Sequence, residues 1–252
     1  MNNLNSDTVL NVKSNITYLQ FKSLLKYDDD IVHAIGYKND YAIKENTTNK
    51  ENYLNLCNEL GIDYEKLFNI KQIHCDKYIF ANLNTENNQE YDASVTNIKN
   101  VPLLVKTADC MAILVYDYKN KYISAIHAGW KGVLNRITYK TIKDMIDEYN
   151  CDPKSLIICV SPCICCNCFE VDEDVKDMFD NVFDMKNYLT EKENNKYLID
   201  LKSIVIDDMV SLGITKENIT FSGYCTKCSD KGFYSYRKDN TEKRMASIIM
   251  LK

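Results

Sequence analysis

The run PLLVKTADCMAILVYD, Pro102 to Asp117, limits the fold more than any other stretch of the chain. It is dense in aliphatic and β-branched residues and lacks the strict polar alternation of a half-exposed strand, so it reads as strand lying inside a sheet. A sheet buried in this way needs partner strands and covering helices, and the flanking sequence offers both. Strand-like runs occur at NITYLQF, IVHAIGY, NIKQIH, KYIFA, KYISAIHA, SLIICV, KYLIDL and NITFSG, and RMASIIML is a final apolar element.

Helical spacing appears from Glu51, where Tyr53, Leu54, Leu56, Cys57 and Leu60 lie near one face and Gly61 offers a C-cap. Leu134, Ile137, Thr141, Ile142, Met145, Ile146 and Tyr149 recur on another helical face, and DEDVKDMFDNVF and SIVIDDMVSLGI, closed near Gly213, read as two more helices. Strands and helices mix without strict alternation, which favours an α+β or mixed α/β sandwich around a central mixed β-sheet over a doubly wound sheet. No GxGxxG or GxxxxGK[ST] motif supports a nucleotide-binding fold of that kind. With no internal repeat and no Pro/Gly/Ser linker, residues 1–252 are expected to form a single domain with a polar, irregular N-terminal arm over residues 1–50, ending in KENTTNKEN.

Apolar residues make up 45% of the chain, enough for a core, and the formal net charge of -5 gives no electrostatic reason to bind nucleic acid. The longest apolar runs are too short to cross a bilayer, and the N-terminus lacks a basic start followed by an apolar core, so a soluble, cytoplasmic protein is expected. In that compartment the 11 cysteines stay reduced, and their roles are packing, metal binding or catalysis.

The chain has three histidines, and two of them, His74 and His127, close strand-like runs. Between them Cys110 follows Asp109 inside the apolar run, where a buried carboxylate costs several kcal/mol, roughly, unless it is hydrogen-bonded or paired. His74, Cys110 and His127 make a two-imidazole, one-thiolate set suited to zinc and, with less selectivity, to copper, and three protein ligands leave a fourth position open. A different reading makes Cys110 a nucleophile activated by His127, with Asp109 orienting the base, although neighbouring strand residues face opposite ways unless the strand bulges.

A second constellation is SPCICCNCFEV, in which either Cys163 and Cys166 or Cys165 and Cys168 form a CxxC that pairs with CTKC at Cys225 and Cys228. Such a pair suits a structural zinc or an iron–sulfur cluster, but the long separation and the crowding of four thiols favour buried or redox-susceptible cysteines. In AIHAGWKG, Gly129 and Gly132 permit a tight passage from strand to helix whose amides could face an anion, with Trp130 packed beside it. The closing run GFYSYRKDNTEKRM carries Tyr234, Tyr236, Arg237, Lys238 and Arg244, a mixture fit to stack on a base and grip phosphate, and equally fit for a surface loop.

Taken together, KQIH, DASVTN, TADCMAILVYD, AIHAGWKGVLNRI, SPCICCNCFEV and CTKCSDKGFYSYRKDNTEKRMASIIML resemble the laccase-domain family in order and spacing, over residues 51–252. That family was formerly called multicopper polyphenol oxidase, is also described as peptidoglycan editing factor, and is now described as purine nucleoside phosphorylase. The resemblance implies a single-domain α/β fold with one zinc held by His74, Cys110 and His127. It further implies phosphorolysis of adenosine, inosine, guanosine and methylthioadenosine together with deamination of adenosine. Purine nucleosides and phosphate are then the partners, and the assembly is a monomer or a small homo-oligomer.

Within that resemblance Cys110, His127, Lys131 and Arg237 are the candidate catalytic residues, and Lys38, Gly129, Trp130 and Tyr236 the candidate substrate and phosphate contacts. A multicopper cluster consumes many imidazoles, so three histidines exclude laccase chemistry while leaving room for one copper in the His/Cys site. The chain also departs from the family. Lys131 stands where Arg is usual, keeping the charge but losing the planar fork. Asn167 replaces a thiol, and Cys163 and Cys165 occupy positions of small residues, which argues against an obligatory cluster there. GYKND offers only Lys38 near an expected Arg. The competing roles are a binder of peptidoglycan precursors and a cysteine hydrolase using Cys110.

Overall fold

In the computed structural model, which describes residues 7–13, 16–38, 43–44 and 50–252, the apolar run that anchors the sequence is two strands and not one. Leu103–Thr107 ends at Thr107, residues 108–110 turn a corner, and Met111–Asp117 begins a strand of a different sheet. Asp109, at the corner, has φ 86, in the left-handed region that side-chain-bearing residues seldom occupy.

The first sheet has the order Thr8–Lys13, Ile16–Phe21, Ile31–Gly36, Lys243–Leu251, Leu103–Thr107, Phe68–Asn69, with Ile43–Lys44 pairing one end of Lys243–Leu251. The second has the order Ile219–Phe221, Leu156–Val160, Met111–Asp117, Tyr122–Ala128, Ala93–Thr96, Tyr78–Phe80. Both are mixed: Phe68–Asn69 runs parallel to its neighbour in the first, and Ile219–Phe221 and Tyr78–Phe80 do so in the second.

Alternation along the strands explains the layering. Ala112, Leu114 and Tyr116 of one sheet share a core with Leu103, Val105, Met245 and Ile249 of the other, so the sheets pack face to face. Met111, Ile113 and Val115, one residue out of phase, pack instead with Ile137, Ile142 and Met145 of the helix Ile137–Asp147 and with Ile204 and Met209 of the helix Leu201–Ser211. On the far side Leu104, Ala246 and Ile248 meet Leu56 and Cys57 of the helix Lys50–Leu60. The result is a mixed α/β sandwich with helices outside two central sheets, and the two strands that flank the corner are covered on both faces, as their composition demands.

Three local differences from the sequence reading have physical causes. NIKQIH is strand only at its start: beyond Phe68–Asn69 and a single bridge at Lys71 it becomes a loop, and His74 has φ 61. The helical face beginning at Leu134 is broken into Trp130–Leu134 and Ile137–Asp147 by Arg136 at φ 59, whose guanidinium lies over Tyr139 and pairs with Asp208 at 2.6 Å. The N-terminal arm is more regular than its polar composition suggests, because Thr8–Lys13 and Ile16–Phe21 form an antiparallel hairpin at the edge of the first sheet. Residues 45–49 of KENTTNKEN lie outside the described residues. Among the described residues no helix is long and apolar enough to cross a membrane.

The remaining histidine, His33, is a core residue of Ile31–Gly36, with Nε2 accepting the Phe21 N–H at 2.8 Å. Burial pushes it down from 6.5 to about 3. Below pH 6.5 the unfolded chain binds a proton that the folded chain refuses. Stability is therefore expected to fall as pH drops from 6.5 toward 3, by up to about 1.4 kcal/mol per pH unit from this group. Urea unfolding across that range should show a shallower slope for His33→Gln, which keeps an acceptor for Phe21; an unchanged slope would rule the assignment out.

Candidate active site

The corner at residues 108–110 is held by donors converging on Asp109. Its carboxylate accepts the Thr226 hydroxyl at 2.5 Å and the Arg237 N–H at 2.7 Å, and its carbonyl accepts the Ile164 N–H at 2.9 Å. These bonds offset the burial of the charge and the strained backbone. They also place the next residue, Cys110, beside His74 and His127: ligand atoms of the three lie within 4.8 Å of one another.

Each imidazole is positioned separately. His127, near the end of Tyr122–Ala128, is buried, and its Nδ1 lies 2.6 Å from Asp92 Oδ1. Asp92 is completely buried and its other oxygen accepts the N–H groups of Ile73 at 3.1 Å and Cys75 at 2.7 Å, on either side of His74. One carboxylate thus orients one imidazole directly and the loop carrying the other. Gln72 adds a reciprocal pair with the Lys106 backbone, 2.8 Å in each direction, which ties the same loop to Leu103–Thr107.

Burial alone would push the Cys110 thiol up, but the His127 charge and hydrogen bonds from His127 and His74 outweigh it and bring it to about 6. Burial opposes charge on His127 as well, yet the Cys110 thiolate and Asp92 raise it to about 9. Asp92 is likewise penalised by burial but is lowered to about 2 by its bond to His127. Each of these three groups is thus favoured in its charged form by its neighbours, against the cost of burial.

The donor set fits a metal ion: one soft thiolate, two imidazoles, a carboxylate fixing one imidazole by its other nitrogen, and a glycine where any side chain would intrude. A Cβ at Gly129 would lie 2.8 Å from His74 Cδ2 and 3.0 Å from Cys110 Sγ. Asp92→Asn removes the charge that orients His127 and is expected to weaken metal binding by about 10–100-fold. Competition with a metal-sensitive dye measures this, and undiminished affinity would show that Asp92 serves only the fold.

The three residues open into a cavity of about 500 Å³. Gly129, Trp130, Tyr236 and Arg237 line it, as do Lys106, Arg244, Ile164, Phe169 and Leu201. The Arg237 guanidinium lies 5.1 Å from the Phe169 ring centre, and its Nη1 donates to the Glu170 carbonyl at 2.7 Å. Lys131 and Lys38 are not on this wall: Lys131 is exposed with Nζ 5.5 Å from the Trp130 ring centre, and Lys38 pairs with Asp239 at 3.6 Å and lies over Tyr234. The carboxylate that orients His127 is Asp92 and not Asp109, which corrects the triad considered for a cysteine hydrolase.

Sequence reasoning missed Asp92, Gln72 and the cavity role of Lys106. Asp92 opens DASVTN, whose strand Ala93–Thr96 is buried throughout, and Lys106 interrupts an otherwise apolar strand. A charge inside an apolar run was the available signal for Lys106; Asp92, at the head of a mostly polar stretch, carried none.

Residues 41–252 match the family model described as multi-copper polyphenol oxidoreductase laccase. The purine nucleoside phosphorylase Cj1217c of Campylobacter jejuni is 31% identical over 92% of this chain and 96% of its own length. The purine nucleoside phosphorylase of Haemophilus influenzae is 32% identical over 84% of this chain and 82% of its own. In fold, the crystal structures of the hypothetical protein YfiH from Bacillus licheniformis and of YlmD from Geobacillus stearothermophilus each superpose with a TM-score of 0.85, at 21% and 18% identity. They cover 96% and 97% of this chain and 99% of their own.

Proposed function

The chain belongs to the family described as multi-copper polyphenol oxidoreductase laccase, and from that premise we propose that it is a zinc-dependent purine nucleoside phosphorylase. Adenosine, inosine, guanosine and methylthioadenosine are the proposed substrates, each cleaved by phosphate to a free base and a ribose 1-phosphate or its methylthio analogue. Deamination of adenosine is the proposed second activity. The observation that carries this reading is the meeting of a His/Cys/His donor set with three cationic side chains, Lys106, Arg237 and Arg244, in one cavity.

A volume near 500 Å³ suits a nucleoside together with a small anion. Trp130, Phe169 and Tyr236 offer aromatic surface for a purine. Arg237 is anchored by its backbone to Asp109 and by one guanidinium donor to Glu170, so its planar fork is held in place for phosphate. Lys106 and Arg244 add positive charge on the same wall, where a low-dielectric setting strengthens attraction to an anion. Lys131, exposed on Trp130, supports that ring and does not belong to the phosphate set.

His74, Cys110 and His127 would hold the zinc, with copper the competing ion. A zinc ion held there would supply Lewis acidity and activate water, the chemistry that deamination at a purine ring carbon requires. With Nδ1 2.6 Å from Asp92, His127 would be left with Nε2 to bind the metal.

Product chromatography after incubation of the purified protein with adenosine, with and without phosphate, tests the proposal. Adenine should appear only with phosphate, and inosine without it. Thermal stabilisation by adenosine with no turnover, in protein whose active site is loaded with zinc, would overturn the reading in favour of a binding role.

A further inference from the structure

Cys165 and Cys168 lie in the loop after Leu156–Val160, and Cys225 and Cys228 in the loop after Ile219–Phe221. These two strands are parallel neighbours in the second sheet, with Val160 opposite Phe221, so their loops leave the same end together. The pairing continues past the strands in a bridge between Cys163 and Cys225, with the Thr226 N–H donating to the Cys163 carbonyl at 3.1 Å. Parallel pairing therefore brings together two CxxC segments that are far apart in sequence.

Both segments curl back on themselves: the Cys168 N–H donates to the Cys165 carbonyl at 2.9 Å, and the Ser229 N–H to the Cys225 carbonyl at 3.2 Å. Four sulfurs then converge within 4.8 Å of one another, with Cys165 Sγ 3.9 Å from Cys228 Sγ. The Cys165 N–H also donates to Cys225 Sγ at 3.3 Å, a bond suited to a charged thiolate. Tetrahedral zinc with bonds of about 2.3 Å to sulfur sets its thiolates about 3.8 Å apart. Clustering this tight suits one ion and leaves no room for a multi-iron core. Cys163 and Cys166, the alternative half-site, are not part of the set.

We infer that Cys165, Cys168, Cys225 and Cys228 bind a second zinc ion, closed by four thiolates and structural in role. Its position explains why these loops are tied down. Ile164, beside Cys165, and Thr226, between Cys225 and Cys228, both donate to Asp109. The ion therefore clamps together the two loops that hold the corner on which Cys110 sits.

Metal analysis of the protein purified under reducing conditions tests this, alongside a Cys165→Ser/Cys228→Ser variant and Cys110→Ala. Wild type should hold about two zinc ions per chain, each variant about one. Cobalt loaded into Cys110→Ala should give the intense thiolate-to-cobalt absorption of a four-sulfur site, a readout that survives if the double variant fails to fold. One zinc in wild type that Cys110→Ala retains would uphold this site and sink the active-site metal. One zinc that Cys110→Ala removes, iron in place of zinc, or a disulfide among the four thiols of the reduced protein would overturn the inference.

Discussion

Replacing Cys110 with Ala is expected to strip the metal from the His74/Cys110/His127 set and to lower adenosine turnover by at least ~100-fold, with the fold retained. Cys110 contributes the single sulfur of that set, and no other thiol is in it. What remains is two imidazoles, one of them held by Asp92 in a bond that raises its proton affinity, and protons then compete with the metal for it. The corner itself does not depend on the thiol, because Asp109 is fixed by Thr226, Arg237 and Ile164 through bonds that Cys110 does not share. Metal content, turnover and a thermal melt on the same sample separate these effects. An active Cys110→Ala protein with no metal in this site would refute both the ligand assignment and the proposed function.

His127 was legible because one of only three histidines closes an apolar run, and Cys110 because it follows an acidic residue inside one. The geometry joining them was not. In sequence, TADC continues the apolar run, and strand alternation would set Asp109 and Cys110 on opposite faces. The backbone instead turns at Asp109, and the strands before and after it enter different sheets. Local propensity carries no sign of such a turn, since an Asp at positive φ is made tolerable by three donors from distant segments. Its burial cost was the one clue, and it correctly required partners without identifying them.

The same limit applies to the Asp92–His127 pair and to the second cysteine cluster. Asp92 lies 2.6 Å from His127, but nothing in local spacing links them, since their strands are joined only by antiparallel pairing. The two CxxC segments looked too far apart to close one site, a judgement that assumes a compact loop between them. Parallel neighbours in a sheet remove that constraint, because distant stretches of chain then end at the same edge. Most apolar strands were readable from composition, though not the break at Asp109 or the loop at His74; strand order, which decides what meets, was not.

Gly129→Ala should separate metal binding from folding more cleanly than removing a ligand. Gly129 has φ -76 and ψ 174, ordinary extended values, so Ala meets no backbone strain there. It precedes the short helix Trp130–Leu134 without a side-chain cap, and the cost to that helix should stay under about 1 kcal/mol. The added Cβ, however, would press on His74 Cδ2 at 2.8 Å, Cys110 Sγ at 3.0 Å and His74 Nε2 at 3.3 Å. Cys110 follows the fixed corner, so His74, on its left-handed loop, is the group that must yield. A displaced imidazole loses its alignment with the other donors, and metal affinity should fall by ~10–100-fold, the range seen when ligand orientation is disturbed. Gly132→Ala is the control: its Cβ would press only on Ile137 Cγ2 at 3.2 Å and meet the His127 and Cys75 carbonyls at 3.6 and 3.8 Å, ordinary contacts that reach no ligand atom, so it should lower the melting temperature and spare the metal. If both substitutions lower stability alike and neither changes metal affinity, the glycine serves the turn and not the metal, and the site is looser than its geometry implies.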